Sequence, residues 1–304
     1  MLGVNPKNML TNDYSNTDYN NTDYNNTVSP IGVPVVYIPR QQTTTQVVPP
    51  KTLLPLPVSH VWGIDYSVVD MQQTLNYIDQ LIERRKPSTV ITSNLNYAML
   101  CDDNPRLAEF TRKCPVVLCD GMPVFWRSLL NKTKLPGRVA GADLILELAA
   151  HSAKKGHRVF LMGGTEGIAS QASERLRSLH SRLQIVGVEC PPFRPLNAIE
   201  HEQLLDRIRK AKPDILLVAF GQPKGEFWIE ENSEKLGIPV CIQLGASFDF
   251  IAGNSKRAPV WLQKMGLEWA YRASYDPKRL LPRYAKNIWF LFKSIRRELL
   301  EVTV

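Results

Sequence analysis

Between residues 88 and 244 the chain repeats one pattern: a short apolar run closed by turn residues, then a stretch with apolar residues at helical spacing. This alternation constrains the fold most. Strands buried on both faces read as unbroken apolar runs, and parallel strands need helical crossovers between them. Runs at 88–92, 116–119, 158–162, 184–188, 215–219 and 240–244 predict strands. The segments 68–85, 105–112, 122–130, 142–154, 166–181, 198–210 and 224–236 predict helices. The expected core, 58–253, is a doubly wound, mainly parallel, Rossmann-like α/β sheet.

The flanks differ. Residues 11–27 carry a five-residue T-D-Y-N-N repeat without an aliphatic side chain, so 1–57 is expected to be a disordered tail and linker, with a short strand at 35–38. Residues 254–304 hold eleven basic and four acidic side chains of a chain whose net charge is +8, which leaves the remainder nearly neutral. The basic surface is thus confined to a C-terminal helical appendage that ends in a basic, aromatic helix from about residue 277. No apolar run approaches the roughly 18 residues of a membrane span. The first residues lack the features of a secretory signal, which sets a cytoplasmic expectation. Five cysteines without a C-x-x-C pair are expected to be reduced and mostly buried.

Ligands of an open parallel sheet bind beyond the carboxyl ends of its strands. Thr92 and Asn94 close the first predicted strand and suit either a sugar or base contact or a helix cap. Asp120 and Gly121 follow the second, where a carboxylate can serve as general base, metal ligand or cap. Gly163 and Gly164 follow the third and suit phosphate contact or a tight turn. Gln222, Lys224 and Glu226 follow the fifth; a phosphate or sugar role competes there with ordinary helix-start chemistry. Arg138, Asp143 and Asp249 lie on loops over the same edge. Five scattered histidines and the absence of D-x-D argue against a metal site.

Together, Thr92-x-Asn94, Asp120-Gly121, Arg138 with Gly141-x-Asp143, Gly163-Gly164, Phe220-Gly-x-Pro-Lys224-x-Glu226, Gly245-Ala-x-Phe-Asp249, Arg257-Ala-Pro-x-Trp261, Gly266-Leu-Glu-Trp269 and Arg272 resemble the bacterial WecG/TagA/CpsF glycosyltransferases over about 61–292. Gly225 departs from the pattern, since members often carry Gln there.

The resemblance implies an inverting enzyme that moves a hexose or N-acetylhexosamine, N-acetylmannosamine foremost, from a UDP-sugar to a polyprenyl-diphosphate-linked saccharide. It implies Asp120 as base and Thr92, Asn94, Gly121, Arg138, Asp143, Gly163, Gly164, Gln222, Lys224, Glu226 and Asp249 as substrate contacts. Arg257, Arg272, Arg279 and Arg283 are expected at the diphosphate or the lipid. Metal-independent chemistry, an anionic membrane surface as partner and a peripheral position on the inner face of the membrane follow, with no nucleic-acid partner and with oligomerisation left open. Two rivals compete with this reading. A nucleotide-dependent oxidoreductase would want the missing G-x-G-x-x-G, and a nucleotide-sugar sensor or scaffold would bind donor without transfer.

Overall fold

A computed structural model describes residues 53–192 and 194–302. The N-terminal repeat and the expected 35–38 strand lie outside the described residues. The described chain opens with an antiparallel hairpin, β1 (Val58–Val61) and β2 (Ile64–Ser67). α1 (Met71–Arg84) begins at Asp70, whose carboxylate accepts the Gln73 N–H while the Gln73 side chain accepts the Asp70 N–H, a reciprocal capping box.

β3 (Ser88–Ser93), α2 (Leu95–Asp103), α3 (Pro105–Lys113), β4 (Val116–Cys119), α4 (Met122–Ser128) and α5 (Gly141–Lys155) follow. Then come β5 (Arg158–Gly163), α6 (Ile168–Leu179), β6 (Gln184–Glu189), α7 (Ala198–Ala211), β7 (Ile215–Ala219), α8 (Lys224–Leu236) and β8 (Val240–Gln243). The six expected strands form one all-parallel sheet in the order β4-β3-β8-β7-β5-β6.

Alternate strand residues feed two cores. Val90, Leu118, Leu161, Leu217 and Ile242 meet Ile78 and Leu81 of α1 and Leu144 and Leu148 of α5. Ile91, Val117, Met162, Val218 and Cys241 meet Tyr97, Leu107, Leu205 and Ile229 on the opposite face. The result is a three-layer sandwich with both sheet faces covered, as an all-parallel sheet requires. The hairpin was not expected. It guards the β4 edge, where the Val117 N–H donates to Ser67 Oγ (3.1 Å), and the Tyr66 hydroxyl pairs with Ser93 Oγ (2.8 Å). Cys101, Cys119 and Cys241 are buried and all five cysteines are free thiols.

Beyond β8 the helices α9 (Ser247–Ala252), α10 (Val260–Lys264), α11 (Glu268–Tyr275) and α12 (Pro277–Val302) complete the chain. α12 lies on the core. Leu280 and Phe290 are buried, Phe290 meets Trp62 edge-on at 5.8 Å, and Lys293 and Arg297 donate to Asp102 at 3.2 and 3.1 Å. Its other face leaves Leu281, Ile288, Trp289, Phe292 and Ile295 exposed. Among the described residues no helix is long and apolar enough to cross a membrane.

Candidate active site

β5 leads outward to β6 whereas its neighbour β7 leads inward to β8. Their following loops part at the sheet's carboxyl edge, the place where open α/β sheets form a crevice. A cleft of about 680 Å³ occupies this edge, floored by the ends of β3, β4, β5, β7 and β8 and roofed by residues from α9 to α12.

Asp120 immediately follows β4. Its N–H donates to the Ser93 carbonyl (2.9 Å), which fixes the loop against β3. Burial pushes the Asp120 carboxyl up to about 7, against the pull of the Arg138 guanidinium and of the Gly141 N–H that donates to it; the negative charges of Glu268 and Asp143 add to the rise. A carboxyl poised near neutrality at the floor of a cleft has the proton affinity a general base needs. Thr92 and Asn94 line the same cleft, although each also has a structural task. Thr92 Oγ1 donates to the Gln243 carbonyl (3.0 Å), and Asn94 caps α2 by accepting the Tyr97 N–H (3.1 Å).

The cleft lining is rich in cations. Arg138, Arg257, Arg272, Arg279 and Arg283 all line the cleft. Arg257 pairs with Asp143, which is also 3.7 Å from Arg138, and donates to Gln263 (2.9 Å). Arg138 donates to Glu268 (3.4 Å). Arg272 stacks 5.2 Å from the Phe250 ring centroid. Arg283 donates through Nε to Asn96 Oδ1 (2.9 Å), and Asn96 Nδ2 in turn donates to Gln222 Oε1 (3.1 Å), so one chain of hydrogen bonds ties α12 to the loop after β7.

The expected site residues therefore divide. Thr92, Asn94, Asp120, Gly121, Arg138, Gly164, Gln222, Asp249, Arg257, Arg272, Arg279 and Arg283 meet in the cleft. Asp143, Gly163, Lys224 and Glu226 fall outside its lining. Asp143 is engaged by the two arginines. Gly163 has φ +108°, and a Cβ there would lie 2.8 Å from the Ala219 carbonyl oxygen, so its glycine lets β5 close against the end of β7. Lys224 is exposed, and Glu226, in the first turn of α8, is fully buried.

Several lining residues went unforeseen: Asn96, Trp126, Gln243, Glu268, Trp269, Tyr284 and Asn287. Glu268 and Trp269 stood in a noted motif without an assigned role, and a glutamine closing an otherwise apolar strand was a visible signal at Gln243. The aromatic wall, with Trp269 and Tyr284 edge-to-face at 5.5 Å, depends on helices meeting from distant sequence positions. Among the described residues no three His, Cys, Asp or Glu side chains converge to hold a metal ion.

Residues 59–302 match the model of the glycosyl transferase WecG/TagA/CpsF family. The chain is 30% identical over 217 residues, 70% of its length and 81% of the relative's, to an N-acetylglucosaminyldiphosphoundecaprenol N-acetyl-beta-D-mannosaminyltransferase of Bacillus spizizenii. It is 28% identical over 234 residues, 75% of its length and 90% of the relative's, to a protein of the same description from Bacillus subtilis.

Proposed function

The chain belongs to the WecG/TagA/CpsF family of glycosyltransferases, and from that premise we propose that it moves N-acetylmannosamine from UDP, with inversion, to an N-acetylglucosaminyl-diphospho-polyprenol at the inner membrane face. One observation carries the reading beyond family membership. A buried carboxyl, pushed up to about 7 by its burial, and a set of arginines share one cleft, with the carboxyl on the floor and most of the cations in the roof.

A sugar hydroxyl is a weak nucleophile. In the proposed reaction its oxygen attacks the anomeric carbon on the face opposite the nucleotide, its proton passes to the Asp120 carboxylate, and the bond from the anomeric carbon to the diphosphate oxygen breaks. The electron pair of that bond leaves with UDP. In this reading the guanidinium groups of Arg272, Arg279 and Arg283, which line the cleft, stabilise the charge that develops on the diphosphate, an electrostatic contribution worth most where water is excluded. These cations take the role that a metal ion fills in other transferases, so rates are expected to survive chelation by EDTA.

The acceptor's lipid has a matching surface. Ile288 both lines the cleft and belongs to the exposed apolar face of α12 that includes Leu281, Trp289, Phe292 and Ile295. An amphipathic helix of this kind, with lysines and arginines beside its apolar stripe, lies in the headgroup region of an anionic bilayer. A prenyl chain in that bilayer would bring its diphosphate sugar to the cleft mouth. The test is to incubate the protein with UDP-N-acetylmannosamine and a short-chain N-acetylglucosaminyl-diphospho-lipid. A new disaccharide lipid with a β linkage is expected; release of free sugar alone, or no consumption of donor, would refute the proposal.

A further inference from the structure

Asn96 stands in the first turn of α2, is 8% exposed, and holds two partners that the chain brings from distant positions. Its Oδ1 accepts from Arg283 Nε of α12 (2.9 Å), and its Nδ2 donates to Gln222 Oε1 in the loop after β7 (3.1 Å). Chemistry fixes the polarity of these bonds. An arginine has no acceptor, so the Asn96 atom that faces Arg283 must be its oxygen. The amide nitrogen therefore faces Gln222, and Gln222 answers with its own oxygen. What remains of the Gln222 amide is a pure donor, its Nε2.

All three side chains line the cleft. Among the described residues, Gln222 Nε2 and both Nη of Arg283 have no hydrogen-bond partner in the protein. One buried amide thus leaves a neutral donor on one side of it and a cationic donor on the other, both short of acceptors. The ligand group that suits such a pair offers oxygens alone and carries negative charge, as a diphosphate does. Turned the other way, Gln222 would present its Oε1 and repel that group.

We infer that Asn96 is a positioning residue, which through its two hydrogen bonds turns the donors of Gln222 and Arg283 toward a bound diphosphate. Both polar ends of Asn96 are taken by the protein, so it acts through its partners. The role rests on the functional reading above, which supplies two diphosphates, that of the nucleotide and that of the lipid-linked acceptor.

The experiment is a double-mutant cycle of Asn96→Asp with Gln222→Met, read as affinity for UDP, affinity for uridine, and KM for a short-chain N-acetylglucosaminyl-diphospho-lipid. Asn96→Asp keeps the acceptor for Arg283 and loses the donor, so Gln222 turns its Nε2 to the new carboxylate and its Oε1 toward the diphosphate. A loss of about tenfold is expected in at least one of the two diphosphate readouts, with uridine affinity unchanged. A fall in UDP affinity assigns the group to the nucleotide, and a rise in KM assigns it to the acceptor. Gln222→Met should lose a similar factor. The double variant should stand within about threefold of either single one, because the second change finds nothing left to orient. Asn96→Ala, which adds no charge, should show the same coupling. Losses that multiply in the double variant, unchanged diphosphate readouts in either single variant, or an equal loss for uridine would each overturn the positioning role and leave the transferase reading intact. Wild-type protein that binds UDP but transfers no sugar would defeat the functional reading, with the UDP cycle still deciding the role of Asn96.

Discussion

Asp120 and Glu226 are both carboxyls whose pKa burial raises, and only the first faces a ligand space. Because the proposed base Asp120 would act in its ionised form and burial pushes its carboxyl up to about 7, kcat/KM of the wild type is expected to climb about tenfold per pH unit below that value and to level off above it. A flat profile between pH 5 and 8 would separate this carboxyl from the chemistry. Glu226 has no partner from another residue, and burial pushes it up to about 8 from an ordinary 4.5. The native state therefore binds more protons than the unfolded state between those values, and stability falls as pH rises through that window. Glu226→Gln should match wild type in stability below pH 4 and exceed it by a few kcal/mol above pH 8, on the order of the free energy that this shift represents. Equal denaturation midpoints at pH 8.5 would contradict the burial assignment. In the sequence Glu226 read equally as a ligand or as a helix-start residue, because a first-turn position does not tell which face of the helix the side chain takes.

At the scale of elements, parallel strands were legible because each is apolar on both faces. Ile215–Ala219, five buried residues in succession, is the plainest case. The hairpin was not, since Val58–Val61 and Ile64–Ser67 alternate buried residues with exposed ones and follow a proline-rich stretch. α2 escaped notice for a related reason: its apolar residues do not concentrate on one stripe, and its start is signalled only by Asn94, which also reads as a ligand. α12 was legible as a basic, aromatic helix, and the structure adds that it does two things, packing through Leu280 and Phe290 while exposing Trp289 and Phe292. The double variant Trp289→Ser/Phe292→Ser, which leaves the packed face untouched, should lose at least tenfold in binding to anionic liposomes and keep its transfer rate on a soluble short-chain acceptor. Undiminished liposome binding would place the membrane contact elsewhere.

Over the whole molecule, the cleft is a product of long-range assembly. Its floor comes from five strand ends, and its roof from residues that follow the last strand, tied down by the Arg283–Asn96–Gln222 hydrogen bonds. The strand ends contribute Asp120, and the segment after the last strand contributes Arg257, Arg272, Arg279 and Arg283 to the same cleft, where the proposed reaction would use them on a departing diphosphate. The motifs pointed to the sheet edge because strand ends can be read locally. The division of Arg138 and Arg257 as partners of Glu268 and Asp143 could not be read this way, since it depends on residues more than a hundred positions apart meeting in space. Central to all of this is proton removal by Asp120, and the most direct test is single-turnover transfer from UDP-N-acetylmannosamine by Asp120→Asn, with circular dichroism and UDP binding as controls. A folded variant that binds UDP normally and transfers sugar about 10²- to 10⁴-fold more slowly is expected; transfer within a factor of two of wild type would contradict it.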